Sequence, residues 1–369
     1  MPVPRTRLSL LLSALAPALA LTSVAACGQR GVPITAEPAP LVADAEAAPP
    51  PAPPAPPVRQ GGPSSPEQGL PRASNGVLAA GAADKVLPLG GKPIVKLLEP
   101  GAEPRSDLSY ALTRGASQKM SMGMDMTMGI KTQGQALPPT AIPRMTMVFD
   151  ATAADKSPAG DVRIDSRLTA VSIDPNGGQQ EQMARALRPQ VEAMKGLGMA
   201  YWVSPKGNVR DVKLDIPASM PAAAQQLLGG MSQSFESMVT PLPAEAVGVG
   251  ARWQVISRIA TGGADLLQSA IYLLKARSGS RATLEVSLVQ LSASDTIHGP
   301  QMPAGMSAKI KAFASAGQGT SQVDLKSVAP EGASMALKTT MTIAVQGAGA
   351  GAGDDSTVET TTNVQVGRP

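Results

Sequence analysis

From Met120 to Ile130 every second residue is apolar, in the run MSMGMDMTMGI. Side chains on a β-strand point alternately to opposite faces, so this spacing places Met120, Met122, Met124, Met126, Met128 and Ile130 on one face of a strand. On a helix the same residues would be scattered around the circumference. The pattern therefore demands a sheet with one apolar face. It recurs along the chain. Leu108, Tyr110 and Leu112 alternate, as do Met145, Met147 and Phe149, then Val162 and Ile164. Later come Trp253, Val255 and Ile259, then Leu284, Val286 and Leu288. Met335, Leu337, Met341 and Ile343 follow, and Val358, Val364 and Val366 close the series. One-faced strands joined by short links predict an antiparallel sheet. Ser204-Pro205-Lys206-Gly207-Asn208 is a turn sequence and predicts a hairpin between 199–203 and 209–216.

Two segments break the period. Met183, Leu187, Val191 and Met194 fall at helical spacing within 179–197, with Pro189 expected to kink the helix or begin its second part. Leu227, Leu228, Met231, Phe235 and Met238 share one helical face within 221–239, with Ser219 as N-cap and Pro241 and Pro243 beyond the end. The expected fold is α+β and mainly β. It is a strongly curved antiparallel sheet, a half-barrel or open barrel, with two helices packed on one side.

The N-terminus carries a different kind of information. Arg5 and Arg7 precede an apolar run from Leu8 to Val24, and Ala25 and Ala26 precede Cys27. This is a secretory signal pattern. Val24-Ala25-Ala26-Cys27 resembles the lipobox of bacterial lipoproteins, which implies cleavage between Ala26 and Cys27 and lipidation of the Cys27 thiol. Cys27 is the only cysteine in the chain, so an exported fold has no disulfide to rely on. Gly28, by analogy with lipoprotein sorting, points to the outer membrane with the domain in the periplasm. From Gly31 to Pro71 there are 13 prolines and few large apolar residues. Such a segment buries too little surface to offset its ordering entropy and reads as a polyproline-rich spacer. Residues 74–92, richer in Gly and Ala, extend it. The expected organisation is a signal peptide over 1–26, a lipidated Cys with a tether over 27–92, and one globular mainly-β domain over 93–369.

Charge and composition narrow the partners. Without Arg5 and Arg7 the 32 basic residues fall to 30, against 28 acidic ones. With 2% aromatic residues as well, the chain has neither the basic face nor the stacking platforms of a nucleic-acid binder. His298 is the only histidine and sits in a turn sequence, which leaves no histidine cluster for a metal and no Gly-x-Ser-x-Gly elbow beside it. Gly347 to Gly353 alternates Gly and Ala between two strand patterns and reads as a hairpin loop, since phosphate loops open a helix. No acidic residue sits in a recognisable catalytic motif. The chain is read as non-enzymatic, with no cofactor and no metal site.

The methionine stripe, Met120 to Met128 with Met145 and Met147 on a neighbouring strand, has three readings. It is a core face, the lining of a cavity for lipid or another apolar ligand, or a thioether site for Cu(I), which soft ligands select.

Trp202-Val203-Ser204-Pro205-Lys206-Gly207-Asn208-Val209 and Pro241-Leu242-Pro243, followed by Val247-Gly248-Val249-Gly250-Ala251-Arg252-Trp253, resemble an uncharacterised family of bacterial lipoproteins. In that family a Ser-Pro-x-Gly hairpin precedes a helix and a Pro-x-Pro, Val-x-Val-Gly, Trp lead into the next strand. The resemblance covers about 97–366 and carries structure, with no catalytic residue. A curved sheet with helices is also similar in architecture to the Lol-type lipoprotein carriers, half-barrels that shelter acyl chains. The expected function is that of a membrane-anchored envelope lipoprotein binding a lipid or other apolar ligand in a Met-lined cavity under the two helices. The alternative is a structural lipoprotein that presents the sheet to an envelope protein partner.

Overall fold

The computed structural model describes residues 65–369 except 133–134, 176, 219, 221–238, 262, 298–306 and 347–354. The strands are β1 (Ile94–Glu99), β2 (Ser117–Thr132), β3 (Gln135–Ala136), β4 (Thr140–Lys156), β5 (Val162–Asp174), β6 (Gly198–Val203), β7 (Val209–Asp215), β8 (Arg252–Thr261), β9 (Ala264–Ser278), β10 (Arg281–Ser292), β11 (Thr296–Ile297), β12 (Ser307–Asp324), β13 (Gly332–Gln346) and β14 (Asp355–Gly367). Two helices are described, α1 (Ala82–Val86) and α2 (Gln179–Glu192).

All these strands join one antiparallel sheet in the order β1-β8-β9-β10-β12-β13-β14-β2-β4-β5-β6-β7, with β3 beside β2 and β11 beside β12. The sheet is strongly curved and does not close, as expected. The register explains how it holds a core without a second sheet. Trp253 lies opposite Tyr272, Tyr272 opposite Val286, and Val286 opposite Gly319. Gly319 faces Met335, Met335 faces Val364, and Val364 faces Met124. Directly opposed residues share a face, so one apolar face runs from β8 to β4. The curl brings β5 and β6 back toward β12, and Ser166 and Tyr201 share a small cavity with Ser321 and Val323. The sheet is its own second layer.

Helix α2 packs on β4 and β5 and keeps Pro189 inside its last turns. Met194, just beyond it, reaches the methionine cluster. Residues 221–238 of the second expected helix, with Ser219, lie outside the described residues, as do Ala26, Cys27 and the proline-rich run up to residue 64. So do His298 and the Gly/Ala loop.

Two expectations change. Leu108, Tyr110 and Leu112 alternate inward but form no strand; Tyr110 and Ala111 donate singly to the carbonyls of Pro205 and Leu325. Period two reports extended backbone and cannot tell a ladder from an isolated extended segment. The segment 74–92, given to the tether by its composition, is packed. Leu78, Ala83 and Leu87 bury against Ile256 and Leu267 on the outer face of the sheet. Arg258, its side chain 4% exposed, forks onto Asp265 at 2.6 Å through Nε and donates to the Leu87 carbonyl at 2.8 Å. Gln254 likewise reaches the Gln68 carbonyl at 2.7 Å. Chain packed on the sheet is thus present well before Pro93.

Candidate functional site

The methionine stripe lies on β2 and β4, near one end of the inner apolar face. Met122 pairs with Met147 and Met124 with Met145 across these strands, and Met120 pairs with Phe149. On the other side Met122 faces Val366 and Met124 faces Val364. Met120, Met122, Met124 and Met126 are buried, as is Met147, while Met128 and Met145 are half-buried. Leu168, Leu197, Met220, Ala329 and Ala333 pack on them. The residues between, Ser121, Asp125 and Thr127, leave the sheet on the opposite face. All seven methionines named from the sequence therefore belong to one wall, and the cross-strand pairing of β2 with β4 is what brings Met145 and Met147 to it.

A cavity of about 40 Å³ adjoins this wall at Met120. Tyr110, Ser166, Tyr201, Thr240 and Ser321 reach it from the other sides. Its polar lining is only partly satisfied. Tyr110 donates to the Thr240 carbonyl at 3.2 Å, whereas the fully buried Ser321 hydroxyl has no partner among the described residues. Burial pushes the Tyr201 phenol up to about 12 and raises that of Tyr110 further. The volume suits one ordered water, which would satisfy Ser321.

The cavity lies behind a clasp that spans the gap between the first and last strands. The clasp is made of residues 100–112 and 239–251; it contains Pro241-Leu242-Pro243 and Val247 to Ala251 and meets the 204–208 hairpin turn. Ser106 bridges Val247, Leu242 donates to the Lys206 carbonyl at 2.9 Å, and Tyr110 donates to the Pro205 carbonyl at 2.7 Å. Lys206 reaches Asp107 at 2.5 Å. Hydrogen bonds from Lys206 and then Ser109 hold the Asp107 carboxyl below its ordinary range. Trp253 is fully buried, donates to the Pro241 carbonyl at 3.0 Å and stacks on Tyr272 at 5.6 Å. Gly207 has φ 77°, and a Cβ there would sit 2.4 Å from the Thr240 carbonyl oxygen. Gly248 is as constrained, since its Cβ would meet the Ala102 carbonyl oxygen at 1.7 Å. The hairpin and Pro-Leu-Pro motifs thus build one seam of the fold, and no pair of them forms a nucleophile and base.

Sequence reasoning missed a buried polar row on the same inner face. Gln290 donates to Gln268 at 2.9 Å and accepts from Ser315 at 2.7 Å, and Ser315 meets Thr339 at 2.8 Å. It crosses β9, β10, β12 and β13 and separates the cluster around Trp253 from that around Leu266, Phe313 and Met341. The clue was Gln290, which occupies an inward position in the series Leu284, Val286, Leu288. Among the described residues, no group of three or more His, Cys, Asp or Glu side chains converges to hold a metal. No family model and no curated protein matches this chain.

Proposed function

We propose that this chain is a bacterial envelope lipoprotein, anchored through lipid on Cys27 and held off the outer membrane by its proline-rich tether in the periplasm. Its curved sheet shelters a lipid or other apolar ligand against the methionine wall and performs no catalysis. One observation carries the reading: Met120, Met122, Met124, Met126 and Met147 form a continuous uncharged wall inside a strongly curved open sheet. Methionine adapts to irregular apolar shapes, which suits acyl chains. The lipobox resemblance supports the anchor, and the motif resemblance supports membership of the lipoprotein group.

A second reading is favoured by the tight packing of the same wall: a structural lipoprotein whose interior is filled and whose surface meets an envelope protein partner. Native mass spectrometry of the full chain, extracted from bacterial membranes in mild detergent, separates the two. The ligand reading expects a covalently acylated chain plus a further lipid mass released on denaturation. It also expects Met124→Glu to lose that mass while the chain still folds. An acylated chain with no second mass would overturn the ligand reading, and an unacylated Cys27 would overturn the anchor.

A further inference from the structure

The face of the sheet opposite the core carries a recess of about 650 Å³ between Arg252 on β8 and Gln365 on β14. This lies within the size range of small-ligand sites. Five inter-strand steps of about 4.8 Å make it about 24 Å long. Its lining follows from the register. Ile271 and Leu273 form an apolar floor at one end. Beyond them stand the carboxamides of Gln318, Asn363 and Gln365 and the hydroxyls of Ser287 and Ser334. The serines and Ala336 are short, which is why the track is hollow.

The charges are unequal at the two ends. At the far end Arg144 lies over Gly123 and is engaged by Asp125 at 2.6 Å and Gln365 at 2.9 Å. Glu285, midway, is paired with Lys275 at 3.2 Å. Arg252 forms no ion pair among the described residues, although Glu99 is its register partner on β1. One half-buried guanidinium therefore faces the recess without an ion-pair partner among the described residues. Nor do Gln318 and Asn363 have side-chain partners among the described residues.

We infer that this outer track binds an extended, hydroxyl-rich chain bearing an acidic group, an acidic oligosaccharide, with Arg252 taking the carboxylate. Carboxamides and serine hydroxyls both donate and accept, which matches sugar hydroxyls. A guanidinium matches a carboxylate bidentately. A β-strand peptide needs free backbone groups, and those of the central strands are already paired. A nucleic acid needs several free cations and stacking platforms. An acyl chain would leave the carboxamides dehydrated and unpaired.

The test is calorimetric titration of the full chain with three probes: hexagalacturonate, hexamannuronate and neutral maltohexaose. At least one acidic probe is expected to bind, with maltohexaose weaker by about tenfold or more, the worth of one charge-assisted contact. Arg252→Gln is expected to bring the acidic probe down to the neutral level without moving the unfolding midpoint. Ala336→Trp, and independently Ser334→Tyr, fill the track and are expected to abolish binding. Failure of both acidic probes to bind overturns the proposal. So does an Arg252→Gln chain that retains full affinity, or a neutral probe that binds as tightly as the acidic ones.

Discussion

Replacing Met122 by Ala tests whether the methionine wall is packed as the structure has it. Met122 is 5% exposed and lies between Met147 on β4 and Val366 on β14. Removing its buried side chain forfeits about 1.5–3 kcal/mol of transfer free energy. Its neighbours are strand residues that cannot collapse inward, so a void of roughly 60 Å³ adds about 1.5 kcal/mol at 24 cal/mol per Å³. The expected loss is about 3–4 kcal/mol. It would be read as a fall in the urea midpoint at unchanged slope, followed by far-ultraviolet circular dichroism. Thr127→Ala, on the exposed side of the same strand, is the control and should stay within about 0.5 kcal/mol. If Met122 bordered open space instead, the void contribution would vanish and the loss would drop to about 1.5–3 kcal/mol. A loss below about 1 kcal/mol would refute the packing argument altogether.

Three further outcomes follow from the geometry. Gly207→Ala forces a Cβ onto a left-handed backbone and against the Thr240 carbonyl, and is expected to cost about 2–4 kcal/mol in urea unfolding. A neutral result would mean that the clasp is looser than its hydrogen bonds indicate. Arg258→Met leaves Asp265 without its partner and frees the Leu87 carbonyl, at about 2–3 kcal/mol for a partly exposed carboxylate. Trypsin should then cut at Lys85, and persistent resistance there would show that apolar contacts alone hold α1. All three tyrosines, Tyr110, Tyr201 and Tyr272, are raised by burial, the last two to about 12. An unfolded chain ionises its phenols near pH about 10, so stability from this source is complete below that pH and falls above it. Absorbance at the phenolate band should stay flat through pH 10 and then rise together with unfolding; a reversible titration at pH 10 in folded protein would contradict the burial.

The parts of the fold legible in the sequence are those with one covered face. β2, β10, β13 and β14 alternate cleanly because their outer side chains meet water. β9 was not legible. Its Leu266 and Ala270 are buried on the inner face and Leu267 on the outer, where the segment around Leu78 and Leu87 covers it, and a strand covered on both sides shows no period. That covering segment was itself misread, because its alanines, glycines and prolines look like a linker until a partner surface is known. β12 was hidden differently. Its Gly317 and Gly319 are small where Leu337 and Met335 need room across the strand, so it lacks the large apolar residues that mark a strand. Of the candidate site, the methionine spacing was visible but its neighbours were not; the polar row left one local trace, Gln290 in an inward position of β10, and Arg252 left none.

The openness of the sheet has a physical cause that ties these pieces together. Closing it would require β1 to pair with β7, yet the segment leaving β1 and the segment leading into β8 both pass through that gap. Ser106 and Val247 bridge there, and Lys206, Pro205 and Gly207 of the β6–β7 turn meet Asp107, Tyr110 and Thr240. The gap is therefore occupied by connecting chain, and its backbone groups are satisfied by scattered hydrogen bonds in place of a ladder. β7 is also a poor partner by itself. Arg210, Asp211, Lys213 and Asp215 charge it, and Asp211 has φ 55°, which bends the edge away from flat pairing. The other neighbouring strands are joined by ladder hydrogen bonds, so this seam is expected to yield first. The small cavity and Met120 lie directly behind it. The residues with the strictest local geometry, Gly207, Gly248 and Trp253, sit on the same seam, which is why the hairpin and Pro-Leu-Pro motifs describe how the sheet is fastened.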